Sequence, residues 1–201
     1  GIYPDNIERF IDEIMVSPFL KQTGLYPKDI MEIVHFVDTD GVYIADDLVA
    51  SSGNESDAPV YYSDYIVTGN PAHVVERNHR KSENLDVLSS LSSIKIGSKK
   101  IKYSTYYFSC NLDHFLHGDA NYNDHDKTRK ALEFSMAHED SGSLERFFNE
   151  TEMDTVGMSY DESWNFIRNG ENSLKRHTNV NLLIQRLMSL AGRRGGTYGK
   201  E

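Results

Sequence analysis

The chain has one cysteine, Cys110, among 201 residues. A single thiol cannot close an internal disulfide and cannot build a Cys-rich zinc site. No apolar run approaches the roughly 20 residues that a membrane span needs, and no basic-then-apolar segment opens the sequence. A cytoplasmic protein without a membrane partner is therefore expected. Positive charge is scarce as well: 21 Lys and Arg against 31 Asp and Glu give a net charge of −10. Proteins that grip nucleic acid by its phosphates usually present a basic surface. Here the basic residues gather only in short patches, Lys99, Lys100 and Lys102 in one and Arg193 and Arg194 in another. Contact with nucleic acid would need metal ions, a local patch or a partner to supply the positive field. The Walker loop, G-x-G-x-x-G and G-x-S-x-G are all missing, which argues against an ATPase, a dinucleotide enzyme and a serine hydrolase of the common type. The sequence opens on Gly1, as a processed, tagged or partial chain would.

What is present is enough for one domain over 1–201 with a sizeable core. Ile7, Phe10, Ile11, Ile14 and Met15 recur at helical spacing behind Asp5, a candidate N-cap, and Pro18 is expected to end or kink that first helix. The stretch "IMEIVHFVDTDG" predicts a strand covered on both faces, because Ile33, Val34, Phe36 and Val37 are nearly continuous. His35, inside that run, reads as a core residue. The polar segment 50–64 predicts a mobile loop or insertion. A short strand in "DYIVTG" and a helix in "NPAHVVERNHRKSENLDVLSSLS" follow, the helix burying Val74, Val75, Leu85, Leu88 and Leu91 and turning "ERNHRK" to water. "IKYSTYYFS" is β-prone and runs into a short helix capped by Ser109 or Asn111 and ended by Gly118. Helices are expected over "DKTRKALEFSMAHED", with Ala131, Leu132 and Phe134 inward, and over "SGSLERFFNETEM" and "YDESWNFIRNGENSL". The last, in "HTNVNLLIQRLMSLAG", is capped by Thr178 or Asn179 and carries the stripe Val180, Leu183, Ile184 and Leu187. Strand and helix patterns alternate, so an α/β domain with a parallel sheet and a helix-rich C-terminal half is expected.

Three groups of residues could carry chemistry. Asp38 and Asp40 are two apart on a strand and so point to one side. At the carboxyl end of a parallel strand they would face the crevice where α/β proteins hold ligands. Two carboxylates there offer hard oxygen ligands to Mg²⁺ or Mn²⁺. An acidic turn would use the same residues, with Gly41 supplying the bend. Second, Asp113, His114 and His117 lie together in "SCNLDHFLHGDAN". Asp113 could join the two aspartates as a third metal ligand, and His114 could act as general base or as a donor to a phosphate; capping of the strand–helix corner is the structural alternative. Cys110 reads as a small residue at a helix start rather than as a nucleophile. Third, Lys175, Arg176 and His177 stand just before a helix N-terminus, a place where phosphate binds well. Asp46, Asp47 and the cluster Lys127, Arg129 and Lys130 read as solvated surface.

The blocks "IVHFVDTDG", "YYFSCNLDHFLHGDAN" and "SLKRHTNVNLLIQRL" resemble a bacterial family that carries similar blocks in the same order, from about Ile33 to Leu187. More distantly, the layout resembles Toprim-fold proteins of the RloB and abortive-infection type, in which a D-x-D strand end precedes a polar strand–helix corner and a late helix opens with a pattern like Thr178, Val180 and Leu183. The resemblance implies a Toprim-like parallel sheet flanked by helices, Mg²⁺ or Mn²⁺ at Asp38 and Asp40, and cleavage of DNA or RNA phosphodiesters. It also implies an anti-phage defence setting, with an ABC- or AAA-type ATPase partner in a hetero-oligomer. One feature departs from the pattern. Toprim proteins carry a glutamate after a first strand, and here Glu8 and Glu13 lie on a helix; that strand either precedes Gly1 or is lacking.

Three functions follow as expectations. The first is a metal-dependent nuclease subunit using Asp38, Asp40 and His114, with Asp113 as a further metal ligand and Lys175, Arg176 and His177 on phosphate. The second is a non-catalytic adaptor or sensor docked on the ATPase. The third is a small-molecule phosphohydrolase, which needs a nucleophilic Asp38 and a downstream lysine.

Overall fold

The computed structural model describes residues 1–121, 124–150, 155 and 157–195. In chain order it contains α1 (Ile7–Phe10), a π-helical stretch (Ile11–Val16), α2 (Ser17–Thr23), β1 (Glu32–Asp38), β2 (Val49–Ser51), β3 (Val60–Tyr61), β4 (Ile66–Thr68), α3 (Pro71–Ser90), β5 (Ser93–Ile96), β6 (Lys99–Phe108), α4 (Leu112–His117), α5 (Asp124–Ala137), α6 (Ser141–Glu150), α7 (Tyr160–Ile167) and α8 (Val180–Gly195). Residues 151–153 of the expected helix "SGSLERFFNETEM" lie outside the described residues, as do the side chains of Arg193 and Arg194.

The fold is α/β with two small mixed sheets of three strands each. The main sheet has the order β1-β6-β5. β1 runs parallel to β6, with Asp38 opposite Phe108, and β5 runs antiparallel to β6 as a hairpin. The expected parallel pairing is therefore present at β1, but the sheet as a whole is mixed. Successive residues of β6 alternate between its two faces. Ile101, Tyr103 and Tyr107 join a core built with α1, the π-helical stretch, α3 and α7; Tyr106 and Phe108 join another built with Phe115, Phe148, Val180 and Leu183. Helices thus cover both faces, and Trp164 from α7 meets the Tyr107 ring edge-on at 4.9 Å. A guanidinium–carboxylate pair ties α8 to the start of β1, Arg186 Nη1 donating to both Glu32 oxygens at 2.8 and 2.9 Å.

The second sheet, β2-β4-β3, uses the polar segment 50–64 for parts of two strands. It sits over a core of Ile44, Val49, Ile66, Val74 and Leu174. Gly69 makes this packing possible, because a Cβ there would come within 2.3 Å of the Asn54 carbonyl oxygen. No helix among the described residues is long and apolar enough to cross a membrane.

Several local expectations change. Asn6, not Asp5, stands at the first N-cap. Pro18 does not end the helix; the wider π-helical turns directly before it accommodate its missing N–H, and α2 continues to Thr23. Asn111 is the cap of α4, its Oδ1 accepting the His114 N–H at 2.8 Å. Phe36, Leu132 and Leu187 were expected inside, but they are 49%, 61% and 50% exposed. Phe36 is on the sheet's edge strand, and Leu132 and Leu187 fall outside the arcs that α5 and α8 turn to the cores. The face "ERNHRK" of α3 is not uniformly wet. Asn78 is 2% exposed, and Arg77 and Lys81 reach back toward the end of β1.

Candidate active site at the end of the first strand

β1 ends because the chain turns at once. Thr39 is fully buried, Asp40 adopts a left-handed φ of 49° and Gly41 follows with φ 66°. The left-handed φ favours glycine, and a Cβ on Gly41 would stand 2.4 Å from Leu174 Cδ2. The end of β6 is laced to this turn. Thr39 N–H donates to Phe108 O at 3.0 Å, Asp40 N–H to Cys110 O at 2.6 Å, and Cys110 N–H to Thr39 Oγ1 at 2.9 Å. The segment before α8 completes the junction, with Ser109 N–H on His177 O at 2.9 Å.

Asp38 and Asp40 emerge from this junction as part of the wall of two cavities. One, of about 490 Å³, is also lined by Asp113, Tyr61, Asn111, Asn121 and Lys127. The other, of about 390 Å³, is largely apolar, with His35, Lys81 and Asn84 among its polar groups. Asp38 Oδ1 accepts the Leu112 N–H at 3.0 Å, from the first turn of α4. Burial, and after it the charge of Asp40, push the Asp38 carboxyl above its usual range; Asp113 adds to that push, while Lys81 and the Leu112 N–H oppose it. Asp40 Oδ2 is in direct contact with Lys81 Nζ. Arg77, one turn earlier on α3, donates to Asp40 O at 3.2 Å, to Tyr61 Oη at 3.0 Å and to Asn78 Oδ1.

The remaining expected residues divide. Asp113 shares the larger cavity with Asp38 and Asp40. His114, Lys175 and Arg176 instead line a neighbouring cavity of about 380 Å³, which shares Tyr61, Ala120 and Asn121 with the first. Burial, and then the Arg176 charge, lower the His114 pKa, so its imidazole is neutral at pH 7. Arg176 is anchored by Nε to Phe115 O at 2.8 Å. His177 does not line that cavity with Lys175 and Arg176: it is 4% exposed and meets the Phe166 ring edge-on at 4.9 Å. The polar run beside it has a structural task. β5 leaves β6 after Lys102, and Asn179 Oδ1 accepts the Tyr107 N–H at 2.9 Å while Thr178 Oγ1 donates to Tyr107 O at 2.6 Å. Two side chains thus replace the missing strand partner. His35 donates to or accepts from Tyr103 Oη at 2.7 Å and lines the apolar cavity. Burial, then the Asp40 and Asp38 carboxylates, push the Cys110 thiol up to about 12, which makes it a poor nucleophile.

Lys81, Arg77 and Tyr61 were not singled out from the sequence. The one available signal was that Arg77 and Lys81 are four apart on a helix, which places them on one face. Only the tertiary structure shows that this face meets Asp40. Among the described residues, no group of three or more His, Cys, Asp and Glu is placed to hold a metal ion. Magnesium asks for less, since one or two carboxylates with water and substrate oxygens complete its shell. Asp38 and Asp40 match that donor set; the upward shift at Asp38 comes first from burial and then from the Asp40 charge, and a cation would offset both. The chain matches no family model, no curated protein and no solved structure.

Proposed function

We propose that Asp38 and Asp40 bind Mg²⁺ or Mn²⁺ and that the chain is a Toprim-like nuclease subunit of an anti-phage defence system, cleaving DNA or RNA under the control of an ATPase partner. The observation that carries the reading is the shared cavity: Asp38, Asp40 and Asp113 line one opening at the carboxyl end of a parallel strand. The adjoining cavity with Lys175, Arg176 and a neutral His114 would take a neighbouring phosphate of the same strand. When bound, the metal would supply Lewis-acid polarisation of the phosphate and an acidified water. The protein's own share is positional. Asp38 is oriented by the Leu112 N–H, Asp40 by its locked backbone, and Asp113, on the wall of the same cavity, would accept from a water there. With a net charge of −10, the chain leaves a basic path for the nucleic acid to its partner.

The test is a nuclease assay of the intact protein, alone and with the ATPase, in Mg²⁺ or Mn²⁺ and with EDTA. Cleavage is expected with metal only, and Asp38→Ala combined with Asp40→Ala should abolish it. Full defence activity in that double variant would favour the non-catalytic adaptor instead.

A second reading, hydrolysis of small phosphoesters with Asp38 as nucleophile, draws support from Lys81 beside the acidic pair. Phosphate release from small phosphoesters without any partner would favour it.

A further inference from the structure

Two cations from α3 reach the carboxylate turn, and they are held very differently. Arg77 is fixed on all sides: Nε and Nη2 donate to Asn78 Oδ1, Nη1 to Tyr61 Oη, and Nη2 also to Asp40 O. It braces the turn and has no freedom to leave. Among the described residues Lys81 has one partner, Asp40 Oδ2, for an ammonium group with three donors. Its side chain is 30% exposed, and its flexible stem borders the cavity of about 390 Å³ shared with His35 and Asn84. There is room for it to swing.

We propose that Lys81 is a displaceable counter-ion of the site. It neutralises Asp40 while no divalent ion is present, gives way when one binds, and then turns its ammonium to the substrate phosphate. The inference rests on the metal reading of Asp38 and Asp40 and adds a regulatory element to it. Two carboxylates two residues apart at a strand end repel each other, and a cation on one of them stabilises the pair. A divalent ion entering the site must first compete with that ammonium. The metal affinity of the protein is then set below what the carboxylates alone would give. Lysine suits this task better than arginine, being a compact point charge on a mobile stem rather than a planar fork fixed by several bonds. Once released, the ammonium remains on the wall of the apolar cavity, which shares Asp38 and Asp40 with the larger cavity where a metal-bound phosphate would sit.

The test uses Mn²⁺ alone, followed by electron paramagnetic resonance, on the wild-type protein and on Lys81→Met. The methionine keeps the apolar stem and removes the charge. Mn²⁺ is expected to bind the variant at least fivefold more tightly. An independent measurement needs no variant: acylation of Lys81 by an amine reagent, read by mass spectrometry, should rise severalfold when Mg²⁺ is added. Acylation of Lys95, exposed on β5, should not change. Equal or weaker Mn²⁺ binding by Lys81→Met, or unchanged Lys81 labelling in metal-bound protein, overturns the proposal and leaves the metal reading standing. Absence of Mn²⁺ binding in both proteins overturns the metal reading, and this inference with it.

Discussion

The Asp40 N–H donates to the Cys110 carbonyl at 2.6 Å, and both residues hold left-handed backbone conformations, φ 49° and 55°. Among the described residues they are the two non-glycine positions with positive φ. Such conformations cost on the order of 1–3 kcal/mol each and persist where the surroundings enforce them. Here the enforcement is mutual: each strained residue stands just past the end of a parallel strand, and the bond between them joins the two ends. The carboxylates of Asp38 and Asp40 are thereby held on a backbone that cannot drift.

Cys110 should be inert toward thiol reagents in the native state. It is fully buried, and its thiol is pushed up to about 12, so the reactive thiolate is very rare at pH 7. Titration with an aromatic disulfide should show no fast reaction until denaturant is added. Rapid modification of native protein would contradict the packing described for the junction.

Gly69→Ala should destabilise the protein more than Gly41→Ala. At Gly69 the added Cβ meets fixed backbone, the Asn54 carbonyl oxygen at 2.3 Å; at Gly41 it meets Leu174 Cδ2 at 2.4 Å, a side-chain end that can rotate away. Gly41 also has φ 66°, where alanine is strained. A loss of about 1–3 kcal/mol is expected at Gly41 and a larger one at Gly69, both read from urea denaturation midpoints.

Stability should depend on pH through Asp38. Burial, then Asp40, raise its native pKa above the unfolded value of 3.8, so the native state holds the proton more tightly. Its destabilising effect is therefore absent below the unfolded pKa and grows as pH rises through the native one. Asp38→Asn keeps an oxygen for the Leu112 N–H and removes the charge. Its Tm should exceed that of the wild type by about 2–4 °C at pH 7, and the difference should fade near pH 3. A variant less stable than wild type at pH 7 would refute the electrostatic account.

Arg176 and His177 are adjacent in sequence and should behave oppositely. Arg176→Ala is expected to weaken nucleic-acid binding and to flatten its salt dependence by about one unit, with a modest effect on folding. His177→Ala removes a buried ring packed on Phe166. It should cost about 2–4 kcal/mol of stability and leave the salt dependence of the folded protein unchanged. Fluorescence anisotropy at several salt concentrations, with thermal unfolding in parallel, separates the two.

Much of the local structure was legible in the chain. The run around His35 marked a strand ending in the acidic pair, and the observed strand stops at Asp38; the Asn111 and Gly118 pair bounded a short helix, and 3.6-residue spacing located α3 and α8. These signals are local, since caps, turn residues and periodicity act within a few positions of each other. Asp38 and Asp40 read as strand neighbours sharing a side; in the fold they do line the same cavities, but Asp40 stands past the strand in a left-handed turn, and the turn brings it there.

Long-range relations were not legible. "RHTNV" reads as an anion site at a helix start, and in the fold Thr178 and Asn179 serve the backbone of β6 because β5 pairs with β6 only as far as Lys102. "ERNHRK" reads as a solvated face, and in the fold Arg77 meets the Asp40 carbonyl and Lys81 its carboxylate, 37 and 41 positions away. By itself the sequence located most of the helices and the strands β1, β4 and β6, and the acidic pair at the end of the first strand. Tertiary structure alone decided which cation faces that pair, which histidine is buried and which cavity each polar residue lines. Those depend on how helices pack across the sheet, and packing brings together residues whose separation along the chain carries no local signal.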